Sequence, residues 1–260
     1  MKIIYEPKGR AREYAPLAAN LYSGCAHGCE YCYVPGIRRK TRDSFRMTCE
    51  PRKNILQGIR SDAMTIIGDP RPVLLCFMCD PYQEAEKTYH LTRDTLRILS
   101  DARMRTRVLT KNPGADFPLM AKIGTELGIT ALLTDDADLA HWEPHAPHTT
   151  QRIEALREAH GMGITTWCSI EPVIDPEQAI AVLQTVAPWV DYVRIGKLNH
   201  FPHIEAGIDW AQFGLRCMDV CREHKLPRQI KHDLWAAMGY HGDEPQNTIG
   251  LSTTRDQIRG

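Results

Sequence analysis

Six short runs of β-prone apolar residues, each followed by a stretch with helical apolar spacing, constrain the fold of this chain more than any other feature. The runs are Leu17 to Tyr22, Val73 to Met78, Thr106 to Thr110, Ile129 to Thr134, Thr165 to Ile170 and Tyr192 to Ile195. Between them, Leu91 to Ala102, Ile153 to Ala159 and Pro176 to Val186 carry apolar residues three and four apart. Thr149 or Thr150 is the expected cap of the second of these helices and Asp175 of the third. Such alternation predicts an α/β fold whose sheet is parallel and assembled from βαβ units. A helix over Trp210 to His224 and a strand-like Arg228 to Lys231 are expected to close a domain spanning residues 1 to 235, and residues 236–260 read as a polar tail.

The candidate strands end in polar groups. The second runs into Cys79-Asp80-Pro81-Tyr82-Gln83, the third into Thr110-Lys111-Asn112-Pro113 and the fourth into Thr134-Asp135-Asp136. The fifth meets Ser169-Ile170-Glu171-Pro172 and the sixth Gly196-Lys197-Leu198-Asn199-His200. One such rim alone is an ordinary turn rich in capping residues. Five at the same end of one sheet predict a site.

With 43% hydrophobic and 25% charged residues among 260, the chain has enough apolar material for one well-buried domain. Lys and Arg number 32 and so do Asp and Glu, so no global field draws the protein to a polyanion. Any nucleic-acid contact needs a local patch. Gly36 to Arg60 supplies a candidate: Arg38, Arg39, Lys40, Arg42, Arg46, Arg52, Lys53 and Arg60 stand against Asp43 and Glu50. The alternative is a solvated segment balanced by acids such as Asp135, Asp136 and Asp138. Met1 to Arg12 has no apolar signal core and no stretch approaches a membrane span, which points to the cytoplasm and reduced thiols.

Nine cysteines then matter for what they bind. Cys25, Cys29 and Cys32, in Gly24-Cys25-Ala26-His27-Gly28-Cys29-Glu30-Tyr31-Cys32-Tyr33, are spaced to hold three corners of a [4Fe-4S] cluster with the fourth iron free of protein. Zinc is the alternative, with His27 inside the run, but structural zinc normally takes four ligands in paired knuckles and no second half follows.

The triplet, with Tyr31 before its last cysteine, resembles the signature of the radical S-adenosylmethionine enzymes. The stretches Asn20-Leu21-Tyr22-Ser23-Gly24-Cys25, Asp80-Pro81-Tyr82-Gln83, Leu109-Thr110-Lys111-Asn112, Glu143-Pro144-His145-Ala146-Pro147 and Ser169-Ile170-Glu171-Pro172-Val173-Ile174 are similar to the spore photoproduct lyase-like branch, often described as DNA repair photolyases. The resemblance covers most of residues 15 to 200. It implies a partial (β/α)6 TIM-type barrel with the cluster loop after the first strand and the chemistry at the C-terminal strand ends. It also implies S-adenosylmethionine as cofactor, reductive formation of a 5'-deoxyadenosyl radical, and a reducing partner such as flavodoxin or ferredoxin. The substrate stays open between a nucleic-acid lesion and a small molecule or peptide. A non-catalytic iron-sulfur or redox-sensing protein is the alternative of another class.

By the same resemblance Tyr31 is expected beside the adenine, Asp80 at the methionyl amine, Arg152 at the carboxylate, and Thr134 and Asp136 at the ribose. Glu171 and Lys197 are expected at the mouth, in contact with cofactor or paired with each other. Cys76, Cys79 and Cys168 are candidate hydrogen-atom donors, with buried structural cysteine as the alternative; strand alternation puts Cys76 and Cys79 on opposite sides. Cys217 and Cys221, four apart on one helix, lack the partners of a second metal site even with Cys49. The histidines from His141 to His148 and at His200 and His203 read as loop residues.

Overall fold

Seven parallel strands lie side by side in chain order: β1 (Leu17–Ala19), β2 (Val73–Leu75), β3 (Thr106–Thr110), β4 (Glu126–Thr130), β5 (Thr166–Ile170), β6 (Tyr192–Ile195) and β7 (Arg228–Ile230). Each pairs with the next, from Leu17 opposite Val73 to Ile195 opposite Ile230, and the sheet curls into a partial barrel. This computed structural model describes residues 2 to 242, so the polar tail from Asp243 onward lies outside the described residues.

The pleat sorts the strand residues onto two faces. Leu17, Leu75, Val108, Ile129, Cys168, Ile195 and Ile230 face outward into the main core beneath the helices. The register aligns Ala18, Leu74, Arg107, Glu126, Gly128, Trp167, Ser169, Tyr192, Arg194 and Gln229 on the other face, toward the lumen. There Trp167 stacks on Tyr192 at 5.7 Å, and a Cβ on Gly128 would sit 2.1 Å from the indole, so only glycine leaves the ring room.

Because β7 does not reach β1, the barrel has a seam, and the N-terminal segment fills it. Arg107 and Arg194 donate to the Tyr14 carbonyl at 2.9 and 2.7 Å, and Arg194 and Gln229 to that of Glu13 at 3.0 and 3.3 Å. The Tyr14 ring enters the lumen 6.1 Å from Trp167. Glu126 accepts from Arg107 at 2.7 Å and from the Tyr192 hydroxyl at 2.9 Å, so a charged floor underlies the aromatic layer.

Three boundaries differ from expectation, each for a polar reason. β4 begins at Glu126 rather than Ile129, because the carboxylate that looks like loop in sequence has a cation, Arg107, inside the barrel. Ala131 to Leu133 leave the sheet, and Leu132 and Leu133 form a small cluster with Leu139. β1 and β2 stop at Ala19 and Leu75, since the Asn20 side chain takes over the ladder: its Oδ1 accepts from the Phe77 and Met78 amides at 2.9 and 2.8 Å. The helix Pro176–Val186 is capped by Asp175 as expected, while Thr149–Gly161 starts earlier and takes its cap from the His148 side chain.

Candidate active site

The cysteine loop lies at the C-terminal end of β1 and is held from several sides. A Cβ on Gly24 would fall 2.2 Å from the Phe45 carbonyl, and Gly28 has φ +62°, so both positions need glycine. Gln83 clamps the loop twice, accepting from the Ala26 amide at 2.8 Å and donating to the Gly24 carbonyl at 3.1 Å. Arg42 donates to the carbonyls of Cys29 and Cys32 at 2.7 and 3.3 Å. Three of the eight cations of the expected basic patch are therefore committed: Arg42 holds this loop, Arg52 donates to the Asn20 carbonyl and Lys40 to Thr48. Arg38, Arg39, Lys53 and Arg60 remain exposed.

All three cysteines carry free thiols. Burial pushes each of them up, Cys29 to about 11, with the Lys111 ammonium pulling Cys29 the other way. Such thiols become thiolates when a cationic centre arrives to replace their protons. A cubane distributes three thiolates over three irons, whereas one zinc draws its sulfurs within about 2.3 Å of a single point. The loop's three free thiols are the donor chemistry such a cluster takes, and among the described residues no three His, Cys, Asp or Glu side chains are grouped to hold a single metal ion.

Asp80 is the anchor of this side. Its Oδ1 accepts from the Thr110 hydroxyl at 2.7 Å and the Tyr82 amide at 2.8 Å; its Oδ2 accepts from the Lys111 amide at 2.7 Å and lies 3.0 Å from His27 Nε2. Burial opposes the charge, but the His27 ring, the amide and the hydroxyl outweigh it and hold the carboxyl at about 2. Asp80 thus ties the cysteine loop, through His27 on Oδ2, to the ends of β2 and β3. His27, considered in sequence only as a zinc ligand, is the loop's half of that tie.

A second buried network surrounds Tyr31, whose hydroxyl donates to Glu143. Arg152 donates to the other Glu143 oxygen at 2.5 Å, to the Thr130 carbonyl at 3.1 Å and to the Pro147 carbonyl at 2.6 Å. Arg152 is completely buried rather than an exposed helical arginine. Lys111 Nζ lies 3.8 Å from Glu143 and 5.5 Å from the Tyr31 ring centre. Burial disfavours its charge, but the Cys29 sulfur and Glu143 raise its pKa.

Across the mouth, Glu171 accepts from Tyr14 at 2.6 Å and from Lys231 at 2.7 and 2.9 Å. A Cβ on Gly196 would sit 2.6 Å from the Glu171 carboxyl carbon, so glycine lets this carboxylate lie against β6. Lys197 pairs with Glu205 instead, which corrects the expected Glu171 to Lys197 pair. Thr134 and Asp136 follow the early end of β4, Thr134 in the connecting turn and Asp136 at the start of the helix Asp136–Trp142. The amides of Thr134 and Asp135 bind Gln178, and the Asp136 carboxylate is 91% exposed and meets His148 at 2.8 Å.

The cysteines outside the triplet divide. Cys168 faces the outer core because Ser169 takes the lumen side, and burial pushes its thiol to about 12; a place among hydrogen donors at the mouth is corrected on that ground. Cys76 and Cys79 are both buried in the main core cluster, because β2 ends at Leu75 and the expected strand alternation ends with it. Cys217 and Cys221 face the core, and Cys49 donates to the Arg46 carbonyl.

A cavity of about 610 Å³ opens beside Tyr31 and Cys32, walled by Tyr33, Ile37, His200 and Phe201. Its volume suits a small-molecule ligand. Glu143, Lys111, Tyr14 and Lys231 are site residues that sequence reasoning left without a role. Only Glu143 and Lys111 carried a signal, through the stretches that resemble the branch.

Comparison with solved structures decides the architecture. The fold is that of spore photoproduct lyase. Spore photoproduct lyase with bound AdoMet and dinucleoside spore photoproduct superposes with a TM-score of 0.62 at 15% identity, covering 87% of this chain and 79% of the lyase. Streptococcus suis SuiB bound to S-adenosylmethionine gives 0.62 at 11% identity, covering 85% and 48%. In sequence, an uncharacterized Mycobacterium tuberculosis protein is 24% identical over 169 residues, 60% of this chain, and the chain spans 48% of that relative. No family model matches.

Proposed function

We propose that this protein is a radical S-adenosylmethionine enzyme in which Cys25, Cys29 and Cys32 hold a [4Fe-4S] cluster. When bound, the cluster and its cofactor supply a 5'-deoxyadenosyl radical that takes hydrogen from a substrate. The observation that carries this reading is three free thiols on an anchored loop at the mouth of a partial parallel barrel, beside the Lys111 ammonium. The protein's own groups then have distinct tasks. Lys111 offers its charge to the cofactor carboxylate, and Glu143 and Arg152 keep Tyr31 turned toward the loop. Asp80 acts through His27 as the support of that loop.

The reading is tested by anaerobic reconstitution. Reduced, cluster-loaded protein should convert S-adenosylmethionine to 5'-deoxyadenosine, and Cys29→Ala should lose both the cluster absorbance and the product. A loaded wild type that forms no 5'-deoxyadenosine sinks the proposal. Flavodoxin or ferredoxin is the proposed electron source.

For substrate, we propose a nucleic-acid lesion. The exposed Arg38, Arg39, Lys53 and Arg60 supply phosphate contacts, and a dinucleoside photoproduct is bound by the spore lyase that shares the fold. Duplex affinity should fall with salt, and Arg38→Ala with Arg39→Ala should shrink the slope by about 2. No binding at low salt would instead favour a small molecule in the cavity by Tyr33 and Phe201.

A further inference from the structure

The helices Asp136–Trp142 and Thr149–Gly161, with the turn between them, form a strap that grips the cysteine loop at three points. The Trp142 carbonyl accepts from the Glu30 amide at 2.9 Å, Glu143 accepts from the Tyr31 hydroxyl, and the His145 carbonyl accepts from His27 at 3.3 Å. Arg152, in the first turn of the second helix, holds Glu143 at 2.5 Å and is itself fixed there, its amide on the His148 carbonyl at 3.2 Å and its Nε on that of Pro147 at 2.6 Å. One side chain joins the two ends of this strap. His148 Nε2 lies 2.8 Å from Asp136, the first residue of the first helix, while Nδ1 meets the Thr150 amide at 3.2 Å and the Thr150 hydroxyl at 2.8 Å. An amide can only donate, so Nδ1 carries no proton and the ring is the neutral Nε2–H form.

We propose that His148 is a proton-sensitive clasp on the cysteine loop. Neutral, it caps the helix Thr149–Gly161 and closes the strap; protonated, it frees the first turn that carries Arg152, and with it the Glu143 hold on Tyr31. Imidazole is the side chain whose charge changes between about pH 5 and 8. With protons on both nitrogens the ring only donates, so the Thr150 amide loses its acceptor and a cation stands at a helix N-terminus, where the backbone field disfavours it. The Asp136 carboxylate facing the ring favours its charged form, but it is 91% exposed. It therefore shifts where the change falls on the pH scale without deciding whether it happens. The other charged groups nearby face elsewhere. Asp135 accepts from the Ala137 and Asp138 amides, Asp138 from Gln178, and Arg152 turns inward to Glu143.

The clasp is independent of radical chemistry, and so is its test. Amide hydrogen exchange of the full chain is followed by NMR at pH 7.5 and 5.5 and corrected for intrinsic rates, with the amides of β5 as reporters of global opening. Relative to them, protection of Thr150, Arg152 and Glu30 should fall about fivefold at pH 5.5 in the wild type, the scale of a lost helix cap. His148→Asn supplies a cap that does not titrate and should hold the same protection at both values. His148→Ala should lack that protection at both. Unchanged wild-type protection, or an equal fall in His148→Asn, overturns the proposal. So does a ring-nitrogen spectrum showing the Nδ1–H form of His148 at pH 7.5. The wild type and the Asn variant decide this whether or not the protein cleaves S-adenosylmethionine.

Discussion

The two sides of the barrel mouth use buried charge for different ends. On the β1 to β3 side, Asp80 gathers His27, Thr110 and two backbone amides, all on elements that meet the cysteine loop. On the β5 to β7 side, Glu171 gathers Lys231, just past β7, and Tyr14, on the N-terminal segment that fills the seam. A buried carboxylate is costly unless fully partnered, so each must be placed where its partners belong to different segments. The first positions a loop; the second closes a barrel that lacks a strand.

Glu171→Ala is expected to have the largest effect. It leaves the Lys231 ammonium buried without its carboxylate and should cost about 4 kcal/mol, read as a fall in thermal midpoint, while reconstituted iron per folded chain stays near wild type. Equal loss of iron would erase the distinction between the two sides. Asp80→Asn comes next. The new amide faces the Lys111 N–H or the His27 ring, so about 2 kcal/mol of stability should go, together with a drop in iron content. Full iron loading in that variant would mean that the loop does not depend on Asp80.

Gly196→Ala presses a methyl group into Glu171 and should cost about 1–3 kcal/mol in urea unfolding, with no change at the cysteine loop. A neutral result would show that the carboxylate has room to move. The floor provides a control in pH. Burial opposes the Glu126 charge, but Arg107, Arg105 and Tyr192 hold its carboxyl below the usual range. Its contribution is therefore present above the ordinary carboxylate pKa of about 4.3 and lost as pH falls through the lower folded value. Glu126→Gln should flatten the acid side of the stability profile. An unchanged acid limb would remove Glu126 from that account. The smallest effect belongs to the exposed arginines, where Arg38→Ala with Arg39→Ala should move stability by no more than about 0.5 kcal/mol.

How much of this was legible in the sequence differs between strands and site. β3 and β6 match their apolar runs, since nothing competes with the ladder there. β4 was misplaced because Glu126 reads as a loop residue until Arg107 and Tyr192 surround it. At the site, the cysteine spacing was visible because three cysteines lie within eight residues. The partners of Asp80 and Glu171 were not, since His27 is 53 residues from the one and Lys231 is 60 from the other.

Residue order alone established the α/β class, the cysteine loop after the first strand and the polar strand ends, because periodicity and short spacings are local properties of a chain. Folding settled which of those polar ends face one another. It turned Cys168 outward and Ser169 inward, buried Arg152 against Glu143 and left Asp136 in solvent. Long-range pairing of charges depends on how seven strands curl, and no local pattern encodes that curvature.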